Sequence, residues 1–184
     1  MTTRTDLFGV VGLQMASGEE SDPARRRRVT DLQSGDHLCV HYSSDDEQSA
    51  LLADFLSAGI AAQDCLLCVV DARGRQAFES ALYDLGVAGD ELIHAGRLAV
   101  FLPPTQSGSA PPAPDALVSW LLAEADRARD SGFARIRLAV EVAGAARYPV
   151  RACDVRDLDA NIDSFLTSHS AVALCLLDRR SVPP

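Results

Sequence analysis

From residue 35 onward, short apolar runs and helical stripes alternate along the chain. His37 to Tyr42 (HLCVHY) reads as a strand. Ser44-Asp45-Asp46-Glu47 then has capping-box spacing, Ser at the N-cap and Glu three residues on, and Leu51, Leu52, Phe55 and Leu56 follow at helical intervals. Cys65 to Val70 (CLLCVV) has the unbroken apolarity of a strand covered on both faces. Arg75 to Leu85 predicts a second helix stopped by Gly86, and Leu98 to Leu102 a third strand. Asp115 is placed to cap a helix through about Asp130, with Leu117, Trp120, Leu121 and Ala125 inward. Ile136 to Val142 predicts a fourth strand. Val155, Leu158, Ile162 and Phe165 recur at helical spacing before a fifth strand, Ala171 to Leu177. This order predicts an α/β fold: a three-layer α/β/α sandwich on a mainly parallel sheet of five or slightly more strands. Crossovers should be right-handed, and ligands are expected at the carboxyl ends of the strands. The first strand is expected in the centre of the sheet.

Residues 1–30 do not share this alternation and predict a flexible arm, leaving 31–184 as the domain. The run Arg25-Arg26-Arg27-Arg28 is read as a solvated arm in preference to an anion contact, because no aromatic residue is interleaved. The apolar stretch Leu7 to Ala16 is a weak secretory signal at best and too short to span a bilayer. Five of the nine prolines fall between Pro103 and Asp115, which marks a loop.

Composition narrows the chemistry. The 184 residues carry 26 acidic and 17 basic side chains, a net charge of −9. All of the bases are Arg, so a P-loop lysine, a Schiff-base lysine and a Lys general base are excluded. Such an acidic domain is not expected to bind nucleic acid through phosphates. Aromatics are 5% of the chain, so the core must be aliphatic. Five cysteines, three of them within apolar runs, predict free thiols in a reducing cytoplasm, not a disulfide framework.

The first strand-to-helix turn, Tyr42 to Glu47, has no Gly and no Lys and carries three carboxylates, which disfavours a phosphate there. No GxGxxG follows any strand, and no GxSxG is present. Cys65 and Cys68 have CxxC spacing, but i and i+3 on a strand face opposite ways, so both read as buried core thiols, as does Cys175. His94 and His169 are expected at the surface. His37, Cys39 and His41, at i, i+2 and i+4, share one strand face. Reactive side chains there are costly unless something satisfies them. Imidazole and thiol can ligate a metal, bind a ligand, or act as base and nucleophile; a hydrogen-bonded core pair is the bland alternative. Glu141, late in the fourth strand, is a second candidate, with Arg147 and Tyr148 placed to close over it.

Gly35-Asp36-His37-Leu38-Cys39-Val40-His41-Tyr42 resembles the opening of the MEDS domain, the DcmR-type sensory domain, whose H-x-C-x-x-[FY] pattern is met by His37, Cys39 and Tyr42. Softer similarities are Phe55 to Gly59, Cys65-Leu66-Leu67, the Glu141 strand, and Ala173 to Arg180. The resemblance implies a sensor with a RecA/P-loop-NTPase-like core lacking Walker A, binding a small organic molecule such as a hydrocarbon derivative. Val142 to Val150 lacks the Met-Ser-Trp usual after the Glu strand, and no output domain follows in this sequence. The resulting expectation is a non-enzymatic cytoplasmic module with no membrane or nucleic-acid contact. It binds its ligand through His37, Cys39, His41, Tyr42 and Glu141, needs no cofactor, and reports through a homodimer or a partner of kinase, anti-sigma or transcription-factor type. The alternative is a metal- or haem-binding sensor using His37 and Cys39; a Cys-dependent enzyme ranks last, and a ligand-free scaffold is a further reading.

Overall fold

The computed structural model describes residues 29–70, 72–102, 114–141 and 152–181. Five strands form one sheet: β1 (His37–Tyr42), β2 (Cys65–Val69), β3 (Leu98–Phe101), β4 (Ile136–Glu141) and β5 (Ala171–Asp178). Among the described residues, the α-helices are α1 (Asp45–Ala61), α2 (Ala72–Asp84), α3 (Gly89–His94), α4 (Pro114–Asp130) and α5 (Ala152–Ser168). All four strand pairings are parallel, in the order β1-β5-β4-β2-β3. The expected α/β architecture is present. α3 was legible only as a helix end around His94.

Local chemistry sets the element ends. Ser44 Oγ accepts from Glu47 N at 3.2 Å, and Glu47 Oε2 accepts from Ser43 N at 2.8 Å, so the turn's carboxylate and hydroxyl cap α1. α2 ends where Gly86 takes φ +67°, while Val87 N reaches back to Leu82 O at 3.0 Å. The expected Asp115 cap, the 1–28 arm with its Arg run, Arg147, Tyr148 and the side chain of Cys153 lie outside the described residues.

The helices divide by face. α1, α2 and α3 bury Leu52, Phe55, Leu56, Phe78, Leu82 and Leu92 on one side of the sheet. Opposite them, α4 and α5 bury Leu121, Ala125, Ile162, Phe165 and Leu166. The side changes after β3, where the chain reverses its direction across the sheet, as crossovers of a single hand require. Cys65 joins the second core and Cys68 the first, so the CxxC pair is split across the sheet, as strand parity predicted.

β1 departs from expectation. Among the described residues it is an edge strand paired with β5 alone, and most of its side chains are half-buried, whereas β2 and β4 are buried throughout. A short apolar run does not distinguish a central strand from an edge strand whose faces are covered.

One buried ion pair was not anticipated. Arg137, in β4, is 1% exposed. Its Nε donates to Asp64 Oδ2 at 3.0 Å, its guanidinium lies 4.7 Å from the Phe55 ring centre, and Nη1 finds no hydrogen-bond partner among the described residues. Asp64 also accepts from Arg135 Nε at 2.9 Å. Gly59 makes room: a Cβ there would lie 2.6 Å from Arg137 Cδ.

Candidate functional site

Strand parity puts His37, Cys39 and His41 on the α5 face of β1. Cys39 pairs in register with Cys175 of β5, so the two thiols lie side by side on that face. α5 carries Asp159 and Asp163 one turn apart over the same strand. His37 links these groups. Its Nδ1 lies 2.8 Å from Asp163 Oδ1 and 3.6 Å from Asp159 Oδ1. Its Nε2 is 3.1 Å from Cys175 Sγ and 3.7 Å from Cys39 Sγ. Cys175 is buried and Cys39 exposed, so the group is anchored in the core and opens at the sheet edge.

The protonation states are mutually dependent. A hydrogen bond from the Cys175 thiol outweighs the cost of burial and, with His37, draws Cys39 down to about 5. Burial disfavours charge on His37, but the Cys39 sulfur, Asp163 and Asp159 together lift it to about 9. The bond to Cys39, reinforced by burial, pushes Cys175 up. At neutral pH the group is therefore an imidazolium–thiolate pair with Cys175 as a donor. Nδ1–H donates to Asp163, which fixes the ring.

Tyr42 and Glu141 are not part of this group. They occupy the opposite face, at the carboxyl end of the sheet: Tyr42 OH donates to Glu141 Oε1 at 3.0 Å, and Gln48 Nε2 donates to the same oxygen at 3.0 Å. Burial, followed by the Glu141 charge, raises the Tyr42 pKa, so the phenol remains a donor. The five expected ligand residues are thus divided between the two faces of the sheet, His37, Cys39 and His41 on one and Tyr42 and Glu141 on the other. His41 continues the Cys39 face, half-buried, but does not join the His37 group.

Glu141 ends β4 beside β2, whose outgoing helices lie on opposite faces, the location where α/β sheets open a crevice. Gly74 of α2 packs here, and a Cβ on it would collide with Glu141 Oε2. Gly74→Ala is therefore expected to cost about 1–3 kcal/mol by overpacking. A urea midpoint equal to that of the unaltered protein would contradict this. Above Tyr42, Arg180 donates to Asp178 Oδ1 at 2.8 Å and to Asp45 Oδ1 at 2.7 Å, tying the end of β5 to the first strand–helix turn.

His94 is exposed at the end of α3; His169 is half-buried, stacked on Phe165 at 4.5 Å. The sequence reading missed Cys175 as a partner of His37, and Asp159 and Asp163 as its orienters. A signal was present: Asp159 and Asp163 flank Ile162, within the helix's apolar stripe, where unpartnered carboxylates are costly.

Fold and site together define a parallel three-layer α/β domain whose reactive side chains form a His–Cys–Cys group, with a carboxylate-filled turn where a phosphate loop would stand. The chain belongs to the MEDS family, described as "MEthanogen/methylotroph, DcmR Sensory domain", which matches residues 36–184. It is a sensory-domain protein. No curated protein matches it. Among the described residues, no helix is long and apolar enough to cross a membrane.

Proposed function

We propose that this chain is a non-enzymatic sensory module that engages a small organic ligand at the His37–Cys39 face and reports it to a protein partner. The observation that carries the reading is the open side of the group: Cys39 is exposed at the sheet edge while His37 and Cys175 hold it from within. A ligand that meets the thiolate and imidazolium bears on the pairing of β1 with β5, its one strand neighbour among the described residues. Among the described residues, Cys39, Cys65, Cys68 and Cys175 are free thiols, which suits a reducing, cytoplasmic setting. The partner is a signalling protein of kinase, anti-sigma or transcription-factor type, or a second copy of the chain.

The test is thermal unfolding against a panel of short-chain alcohols, aldehydes and carboxylic acids. At least one compound should raise the Tm of the unaltered protein. His37→Ala and Cys39→Ala should each fold and lose that shift. A full shift retained in both variants would remove the ligand from this face.

A second reading is favoured by the contact chain Asp163–His37–Cys39, which has the order of orienter, base and thiol nucleophile. It ranks below the first because His37 Nε2 lies nearer the buried Cys175 than Cys39. Repeated turnover of p-nitrophenyl acetate that is abolished by Cys39→Ala would reverse this ranking.

A further inference from the structure

We infer that His37 Nε2, Cys39 Sγ and Cys175 Sγ form a three-ligand site for a divalent transition-metal ion of the zinc class, with a fourth position open to solvent beside Cys39. The three atoms lie within 4.8 Å of one another. A tetrahedral zinc with ordinary bond lengths places an imidazole nitrogen about 3.6 Å from each thiolate, and two thiolates about 3.8 Å apart. The observed nitrogen–sulfur separations, 3.1 and 3.7 Å, bracket the first value, so side-chain adjustments of a few tenths of an ångström admit the ion.

The surroundings match what a metal-bound histidine needs. Such a ring donates its other N–H to a carboxylate, which fixes the tautomer and strengthens the ligand nitrogen. Asp163 occupies that place on Nδ1. His37, Asp159 and Asp163 form a second group able to reach one ion, but geometry favours the sulfur side. An ion between Nδ1 and Asp163 would hold N and O about 3.4 Å apart, whereas their 2.8 Å separation is that of a hydrogen bond. Two thiolates and one imidazole also select zinc-class ions over magnesium or calcium. On binding, the ion replaces the protons on His37 Nε2 and Cys175 Sγ, which pass to solvent.

Cys175 is the ligand that changes the picture. With His37 and Cys39 alone, two donors on one strand make a weak clip; the third arrives from the neighbouring strand in register. The open position faces outward with Cys39, where a ligand with an oxygen, nitrogen or sulfur donor completes the shell. That role of the open position rests on the sensory reading above; the ion itself does not.

The experiment is a Co²⁺ titration of the chelator-treated, reduced full chain, without any organic ligand. Thiolate-to-cobalt charge-transfer absorption and intense tetrahedral visible bands should saturate at one ion per chain and vanish when Zn²⁺ is added. Cys175→Ser and Cys39→Ser should each weaken binding at least tenfold. Asp163→Asn should weaken it roughly 10–100-fold. Cys68→Ala, in the opposite core, should leave it unchanged. Circular dichroism checks that each variant folds, and the exposed Cys39 carries the test if Cys175→Ser does not. Absence of the charge-transfer band at stoichiometric Co²⁺, or a band unaltered in Cys39→Ser, overturns the site. That failure would leave the organic-ligand reading standing, because the thermal-shift panel is scored with no metal added. Failure of that panel would leave the ion in place.

Discussion

Replacing Asp64 with Ala should lower the unfolding free energy by about 3–5 kcal/mol, the cost of stripping the partner from a buried charge. Arg137 is 1% exposed and held beneath α1, so its guanidinium cannot turn to water when the carboxylate is removed. Burial already draws its pKa down, and Asp64 is the group that offsets this. Phe55 supplies a ring face at 4.7 Å, worth far less than a carboxylate. Arg135, 21% exposed, can reach solvent after the change and adds little to the loss. Urea unfolding with an unchanged m-value is the measurement. The double variant Asp64→Leu/Arg137→Met should recover most of the stability, because exchanging a buried pair for apolar groups is often neutral or favourable. A single variant within 1 kcal/mol of the parent would show that the pair is not the buried, dry contact described.

The second large effect concerns Cys39. In metal-free protein its alkylation by iodoacetamide should follow thiolate formation with a midpoint near pH 5, against 9.0 for an unperturbed thiol. At pH 6.5 that leaves Cys39 almost wholly ionised, with roughly three-hundredfold more thiolate than a thiol titrating at 9.0. Low-pKa thiolates are weaker nucleophiles, so the midpoint, not the absolute rate, is the informative quantity. The direction is fixed: reactivity is lost as the pH falls through the midpoint, when the proton returns to sulfur. Cys175→Ala and His37→Ala should each raise the midpoint, since the bond from Cys175 and the bond and charge of His37 all lower it. Cys68 and Cys175, both buried, should label only after denaturation. A Cys39 that labels with a midpoint above pH 8 would contradict the imidazolium–thiolate pair.

Much of the frame was readable residue by residue. The Ser44–Glu47 box, the Gly86 stop and the unbroken apolarity of CLLCVV and ALCLL each specify local structure through contacts a few residues long. Parity alone separates Cys65 from Cys68. It also separates Tyr42 from His37 and Cys39, so the division of the expected ligand residues between two faces was implicit in the odd and even numbers. The location of β1 at the edge was not readable, because sheet order depends on which strands pair across long separations. Nor was the third sulfur, since Cys175 looks like any small core residue until β5 is aligned with β1. Arg137 sits in an apolar strand without an outward sign that Asp64, 73 residues earlier, neutralises it.

The partnership of first strand with last bears on how the molecule is made. His37 and Cys175 are 138 positions apart, so during synthesis β1 emerges long before the strand that will hold it. Until then its backbone has no ladder, and Cys39 is an ordinary unprotected sulfhydryl. Maturation of the site is therefore a late event: β2, β3 and β4 are all made before β5, but chemistry at Cys39 begins only when β5 docks. Loop closure over such a span is slow, which predicts that acquisition of thiol acidity lags behind the bulk of helix formation on refolding.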